Sequence, residues 1–211
     1  RFFATDVVPG QPPTVKPVGR AYADLLRDMF AADPLKPYRL DAAARRPPEA
    51  DGGLNIEGLA ATADGKLLIG LRSPLQQQRA LLIPLDNPDA VIAGERARFG
   101  APLELDLGGR GIRSIERFAS SYLIVGGPNA DRGSFALFRW SGQSGDQPTP
   151  VAQSDLQDLR PEALFALPGS NRAQLLSDDG GLVIGGVECK KLPAADQKFR
   201  SLTITPREPG G

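Results

Sequence analysis

Six residues have types and placements that suit joint chemistry: Glu57, Arg72, Arg113, Glu162 and the pair Asp178-Asp179. Glu57 stands in NIEGL near the start of a strand, and Glu162 holds a comparable place in RPEAL. Arg72, Arg113 and Asp178-Asp179 fall at or near strand ends. Carboxylates are the hard oxygen ligands that Ca²⁺ or Mg²⁺ takes, so Glu57, Glu162, Asp178 and Asp179 read as an oxygen-rich cation site. Guanidinium groups fork onto carboxylate or phosphate oxygens, so Arg72 and Arg113 read as holders of an anionic substrate. A metal beside a phosphate would polarise it and lower the pKa of a water nucleophile. The plainer reading is that these charges pair with one another, or that a glutamate accepts backbone N–H groups from an adjoining sheet. Asp178-Asp179-Gly180 is also ordinary turn chemistry. The assignment taken forward is Glu57, Arg72, Arg113 and Glu162 for a ligand, with Asp178 and Asp179 for a metal; no catalytic residue is assigned.

Composition narrows the chemistry. There is no histidine, which excludes Ser-His-Asp and Cys-His mechanisms and His-ligated metals within this chain. Ser73 and Ser177 lie close to the charged set, but a serine nucleophile would need a lysine or carboxylate base. Cys189 is the one cysteine, so no internal disulfide forms. Lys190 and Lys191 stand beside it, and a structural thiol is the simpler role. Lys+Arg and Asp+Glu both number 25, so no net positive field draws nucleic acid. No apolar run approaches the about 18–20 residues of a membrane span.

The elements that must position these residues are short. Glycine (24) and proline (20) are abundant, which suits many turns and brief strands. Gly52–Pro74 organises the chain as two strands, Leu54–Ala61 and Lys66–Arg72, joined at Ala63-Asp64-Gly65. Arg79–Leu85 follows as a third strand, Asp86–Asp89 as a turn, and Leu103–Leu107 as a half-buried edge strand. The plan restarts at Ile112–Ala119, Ser121–Gly127 and Ser134–Trp140, and again at Pro161–Leu167 and Arg172–Ser177. Phe199–Thr205 closes it. Upstream, Phe2–Val8 and Thr14–Arg20 read as strands, Ala21–Ala32 as an amphipathic helix stopped by Asp33-Pro34, and Arg39–Gly53 as a polar connector.

Glu57, Glu116 and Glu162 mark three cycles near the about 40–50-residue period of a propeller blade. The expected fold is therefore all-β, a β-propeller or its C-terminal portion, with about three four-stranded blades, a partial blade and a helix inserted near residues 21–32. Residues 1–50 would hold the partial blade, helix and connector, 51–205 the blades, and 206–211 a disordered tail. Because the chain opens on Arg1 inside a strand, an N-terminal segment of the same protein is expected to complete the ring.

The motifs GGLNIEGLA with LLIGLRSP, GGRGIRSI with YLIVGGP and FALFRW, RPEALF with LLSDDG, and FRSL occur in that order over Gly52–Leu202. Together they resemble a bacterial family defined by a domain of unknown function, number 3616, whose members are distantly similar to esterase-like phytase propellers. The resemblance implies the propeller fold without delivering an activity. The family often carries Asp after the arginine of GIR, where this chain has Ser114. Two functions follow: binding of a small anionic ligand or protein partner at the channel mouth, or metal-assisted (Ca²⁺ or Mg²⁺) hydrolysis of phosphate or other esters. The propeller relatives favour a bacterial periplasmic or secreted location.

Overall fold

The Asp64-Gly65 dipeptide sets the first tight turn, with Gly65 at φ 81° and the Thr62 N–H donating to the Lys66 carbonyl (2.9 Å). From that turn the chain builds antiparallel sheets by adding each strand beside the last. The structure is a computed structural model and describes residues 1–129, 133–151, 156 and 158–206.

The elements are, in order, β1 (Phe2–Val8), β2 (Thr14–Tyr22), α1 (Leu25–Ala31), a 3-10 turn at Asp33–Tyr38, α2 (Leu40–Ala43), β3 (Asn55–Ala61), β4 (Leu67–Ser73), β5 (Ala80–Leu85), α3 (Pro88–Ile92) and β6 (Leu103–Leu105). There follow β7 (Gly111–Phe118), β8 (Ser121–Gly127), β9 (Ala136–Trp140), β10 (Thr149–Pro150), β11 (Pro161–Ala166), β12 (Ala173–Ser177), β13 (Val183–Ile184), β14 (Val187–Glu188) and β15 (Ser201–Ile204). The chain is mostly β. Its sheets are the meanders β3-β4-β5-β6 and β7-β8-β9-β10, the sheet β11-β12-β15, and the hairpins β1-β2 and β13-β14. Among the described residues no sheet closes on itself.

Strand alternation decides what each sheet faces. In β4, Ile69 and Leu71 join Leu81 and Ile83 of β5 in a cluster with Met29, Leu35 and Leu40 from the helical segment. The other face of that sheet gives Leu68 and Leu82 to a second cluster with Ile112, Ile115, Ile124, Phe138 and Trp140. The far face of the β7–β10 sheet places Leu123, Val125 and Leu137 against Leu164 and Leu175. The order is thus helices, first sheet, second sheet, third sheet. Strand β7 lies beside β3 on one side and β11 on the other. Gly70 permits the close stacking, since a Cβ there would come within 2.7 Å of the Ile112 side chain.

Several expectations are corrected at element ends. The expected helix over 21–32 begins only at Leu25, because Tyr22 pairs with Phe2 in the β1-β2 ladder. Asp28 of α1, a charged residue, is 3% exposed. It accepts from the Tyr22 hydroxyl and the Ala97 N–H (3.1 Å) and pairs with Arg96 (3.4 Å). At the other end α1 stops at Ala31 with Ala32 extended, as Asp33-Pro34 leads one to expect; the chain then turns into the separate 3-10 segment, where Pro34 suits the first turn. The polar connector contains α2, with Leu40 and Ala43 buried. The Asp86–Asp89 turn runs into α3. The two-residue β10 supplies the fourth strand of the second sheet. Of the expected tail, Pro206 is buried and its carbonyl accepts from Arg139 (3.2 Å); residues 207–211 lie outside the described residues.

Candidate functional site

Each of the three neighbouring strands β3, β7 and β11 breaks its ladder near its start. The register shifts between Ile56 and Gly58, between Ile112 and Ser114, and between Pro161 and Ala163. A bulge adds one unpaired residue and re-aims its side chain. The residues so displaced are Glu57, Arg113 and Glu162. They occupy equivalent places in the three sheets.

Their side chains meet. Glu57 Oε2 lies 2.9 Å from Arg113 Nε, and Glu57 Oε1 lies 3.3 Å from Arg72 Nη1 at the end of β4. Arg113 Nη2 pairs with Glu162 Oε1. Arg72 Nε donates to the Pro128 carbonyl (3.3 Å), and the Arg113 guanidinium sits 5.7 Å from the Phe135 ring centre, within cation–π range. The two arginines form the inner layer, with side chains 9% and 6% exposed; Glu57 at 23% and Glu162 at 43% form the outer one. Two positive and two negative groups therefore balance. The Arg113 Nε contact is ionic without hydrogen-bond alignment, so that buried N–H has no aligned acceptor among the described residues. Gly111 makes the approach of strands possible: a Cβ there would stand 1.9 Å from the Arg72 carbonyl oxygen.

The four residues expected to hold a ligand are thus brought together. Glu116, expected as a marker equivalent to Glu57, lies further along β7 in the regular ladder opposite Leu123. Its carboxylate accepts the Ala166 N–H of β11 (3.3 Å), while Arg113 takes the equivalent place. Ser73 is fully buried beside Arg72 in sequence.

Asp178 and Asp179 are separately engaged. Asp178 is exposed and its carboxylate accepts the Gly180 N–H (2.9 Å), an Asx turn. Asp179 is 4% exposed and accepts from Ser177 Oγ (2.8 Å), Arg200 N (2.7 Å), Arg200 Nε (2.9 Å) and Arg200 Nη2 (2.8 Å). The Arg200 guanidinium, chiefly, lowers the Asp179 pKa to about 2. A carboxylate so saturated fits a metal ligand poorly. Among the described residues no group of three or more His, Cys, Asp or Glu is arranged to hold a metal ion. Arg200 carries this cluster and was not singled out by spacing, although it is the Arg of the FRSL motif.

Cys189 is buried, and its Sγ contacts the Lys198 N–H and carbonyl (both 3.2 Å). No helix among the described residues is long and apolar enough to cross a membrane.

Stacked antiparallel sheets with a charged cluster at the bulged starts of adjacent strands define the class: a mostly β protein with an ordered Arg–Glu network. The chain belongs to the family described as Protein of unknown function (DUF3616), whose pattern matches residues 20–177, about three-quarters of its length. No curated protein and no solved structure matches it.

Proposed function

We propose that the chain is part of a β-propeller binding module that captures a small anion at the inner-strand ends. The propeller reading is supported by the succession of meander sheets and by the adjacency of β3, β7 and β11 in chain order. The observation that carries the binding reading is the state of Arg113. Its guanidinium is buried, one N–H lacks an aligned acceptor, and its partner Glu162 is the most exposed member of the network.

A carboxylate or phosphate takes the place of Glu162 on Arg113, as like replaces like. Binding is then an exchange of anions, and Glu162 swings into solvent. Glu57 stays, holding both arginines and keeping their forks in position. A partner protein would present the same chemistry through an acidic side chain. The hydrolase alternative lacks comparable support, because Asp179 is spent on Arg200 and Ser177.

The test is calorimetric titration of the chain and two variants with inorganic phosphate and with succinate. Glu162→Gln removes the competing charge and should tighten binding about tenfold, while Arg113→Lys should lose it. Absence of binding to all three proteins, or equal affinity in all three, overturns the reading.

A further inference from the structure

A second concavity lies on the opposite side of the same strand end. Arg72 faces the second sheet, whereas Leu71 and Leu81 belong to the cluster on the helical side. There the 3-10 turn and α2 face the segment after β4 across a cleft of about 330 Å³. Leu81, 1% exposed, lies at its base, and Pro74 and Gln76 form one wall. Tyr38, Arg39 and Arg46 line the other.

We propose that this cleft binds a small molecule with a flat apolar body and a single phosphate or carboxylate head. The volume is within the about 300–1,000 Å³ range of small-molecule sites, toward its lower end. Leucine, proline and alanine surfaces take the body. Tyr38 offers a ring held in place, since its hydroxyl donates to Glu104 Oε1 (3.0 Å). The head goes to the arginines. Neither Arg39 nor Arg46 has a carboxylate partner among the described residues; Arg46 Nη1 donates to the Asp51 carbonyl (3.1 Å), leaving its other nitrogens available. Arg39, which lines the cleft, sits at φ 50° between the 3-10 turn and α2, a backbone that arginine adopts reluctantly. Two arginines without carboxylate partners, a fixed ring and an apolar base together describe a site built for an amphipathic anion.

The test is a ¹⁵N NMR titration of the whole chain with phenyl phosphate and with benzoate, the two candidate heads on one ring. Inorganic phosphate and phenol serve as half-ligand controls. At least one ring-bearing anion should shift the amides of Arg39, Ala43 and Gln76 saturably, with each half alone about tenfold weaker or more. Arg39→Asn, which tolerates the left-handed backbone, should weaken binding about fivefold without altering the rest of the spectrum. Arg46→Gln, on an exposed segment, gives an independent check. The proposal is overturned if shifts appear only at Glu57 and Arg113, if inorganic phosphate binds as well as phenyl phosphate, if neither variant weakens binding, or if no saturable shift occurs. Shifts at Glu57 and Arg113 would leave the anion-exchange reading standing, so the two sites fail separately.

Discussion

Asp179 offers the most quantitative prediction. Its carboxylate accepts four hydrogen bonds, three of them from Arg200, and its pKa falls from 3.8 to about 2. That depression corresponds to about 2.5 kcal/mol; with the Arg200 side chain 43% exposed, solvent screening brings it to about 2 kcal/mol. A carboxyl whose folded pKa is depressed stabilises above its unfolded pKa and loses that contribution as pH falls through the folded value. The contribution is complete by about pH 6, roughly halved at pH 3, and mostly gone below pH 2. Asp179→Asn keeps the shape and removes the charge. Urea unfolding followed by emission of Trp140, the sole tryptophan and 1% exposed, should show the variant less stable by about 2 kcal/mol at pH 6. The gap should close to about 1 kcal/mol at pH 3. A gap that is the same at both pH values would refute the reasoning, because the loss would then not depend on the charge.

The same assay orders the network residues. Glu57→Gln removes the negative charge that two buried guanidiniums share and should cost about 2–4 kcal/mol, whereas Glu162→Gln, at a half-exposed partner, should cost less than about 1 kcal/mol. Equal costs would mean that Glu57 does not bridge. Gly111→Ala should destabilise by about 2 kcal/mol or more, since its Cβ meets backbone that cannot rotate away; a smaller effect would show that β4 and β7 tolerate separation.

Much of the sheet order is legible from local chemistry. The Asp-Gly turn, the alternation in LELDL and the glycine-proline punctuation place the strands of the first two meanders to within a few residues. The gathering of Glu57, Arg72, Arg113 and Glu162 is also legible, from their shared position at strand ends. The identity of the equivalent residue in β7 is not. A bulge inserts one residue and reverses the period-two parity after it, so counting from glutamate to glutamate picks Glu116, while the backbone equates Arg113 with Glu57 and Glu162. The remaining errors come from long-range partners. Tyr22 fits a helical stripe but finds Phe2 across a hairpin. Asp28 fits a polar face but is drawn inward by Tyr22, Ala97 and Arg96. Asp178 and Asp179 are identical neighbours with opposite fates, because only one reaches Arg200.

The network itself poses a sharper question, since burying ions is an expensive way to join sheets. Apolar side chains of similar volume at the same places would hold the stack with no desolvation cost, and exchanging a buried ionic cluster for them is often neutral or stabilising by about 1–4 kcal/mol. Four register shifts, at Glu57, Arg72, Arg113 and Glu162, also give up ladder pairing to bring these charges together. If the charges serve a ligand, the combined variant Glu57→Leu, Arg72→Met, Arg113→Met and Glu162→Gln should fold with an unfolding midpoint at or above the parent's while losing phosphate and succinate binding. If they serve the fold, the same variant should lose its cooperative transition or drop by more than about 1 M urea. The second result would reduce the cluster to a structural rivet and remove the anion-exchange proposal with it, whereas the cleft between Pro74 and the helical segment would keep its own test.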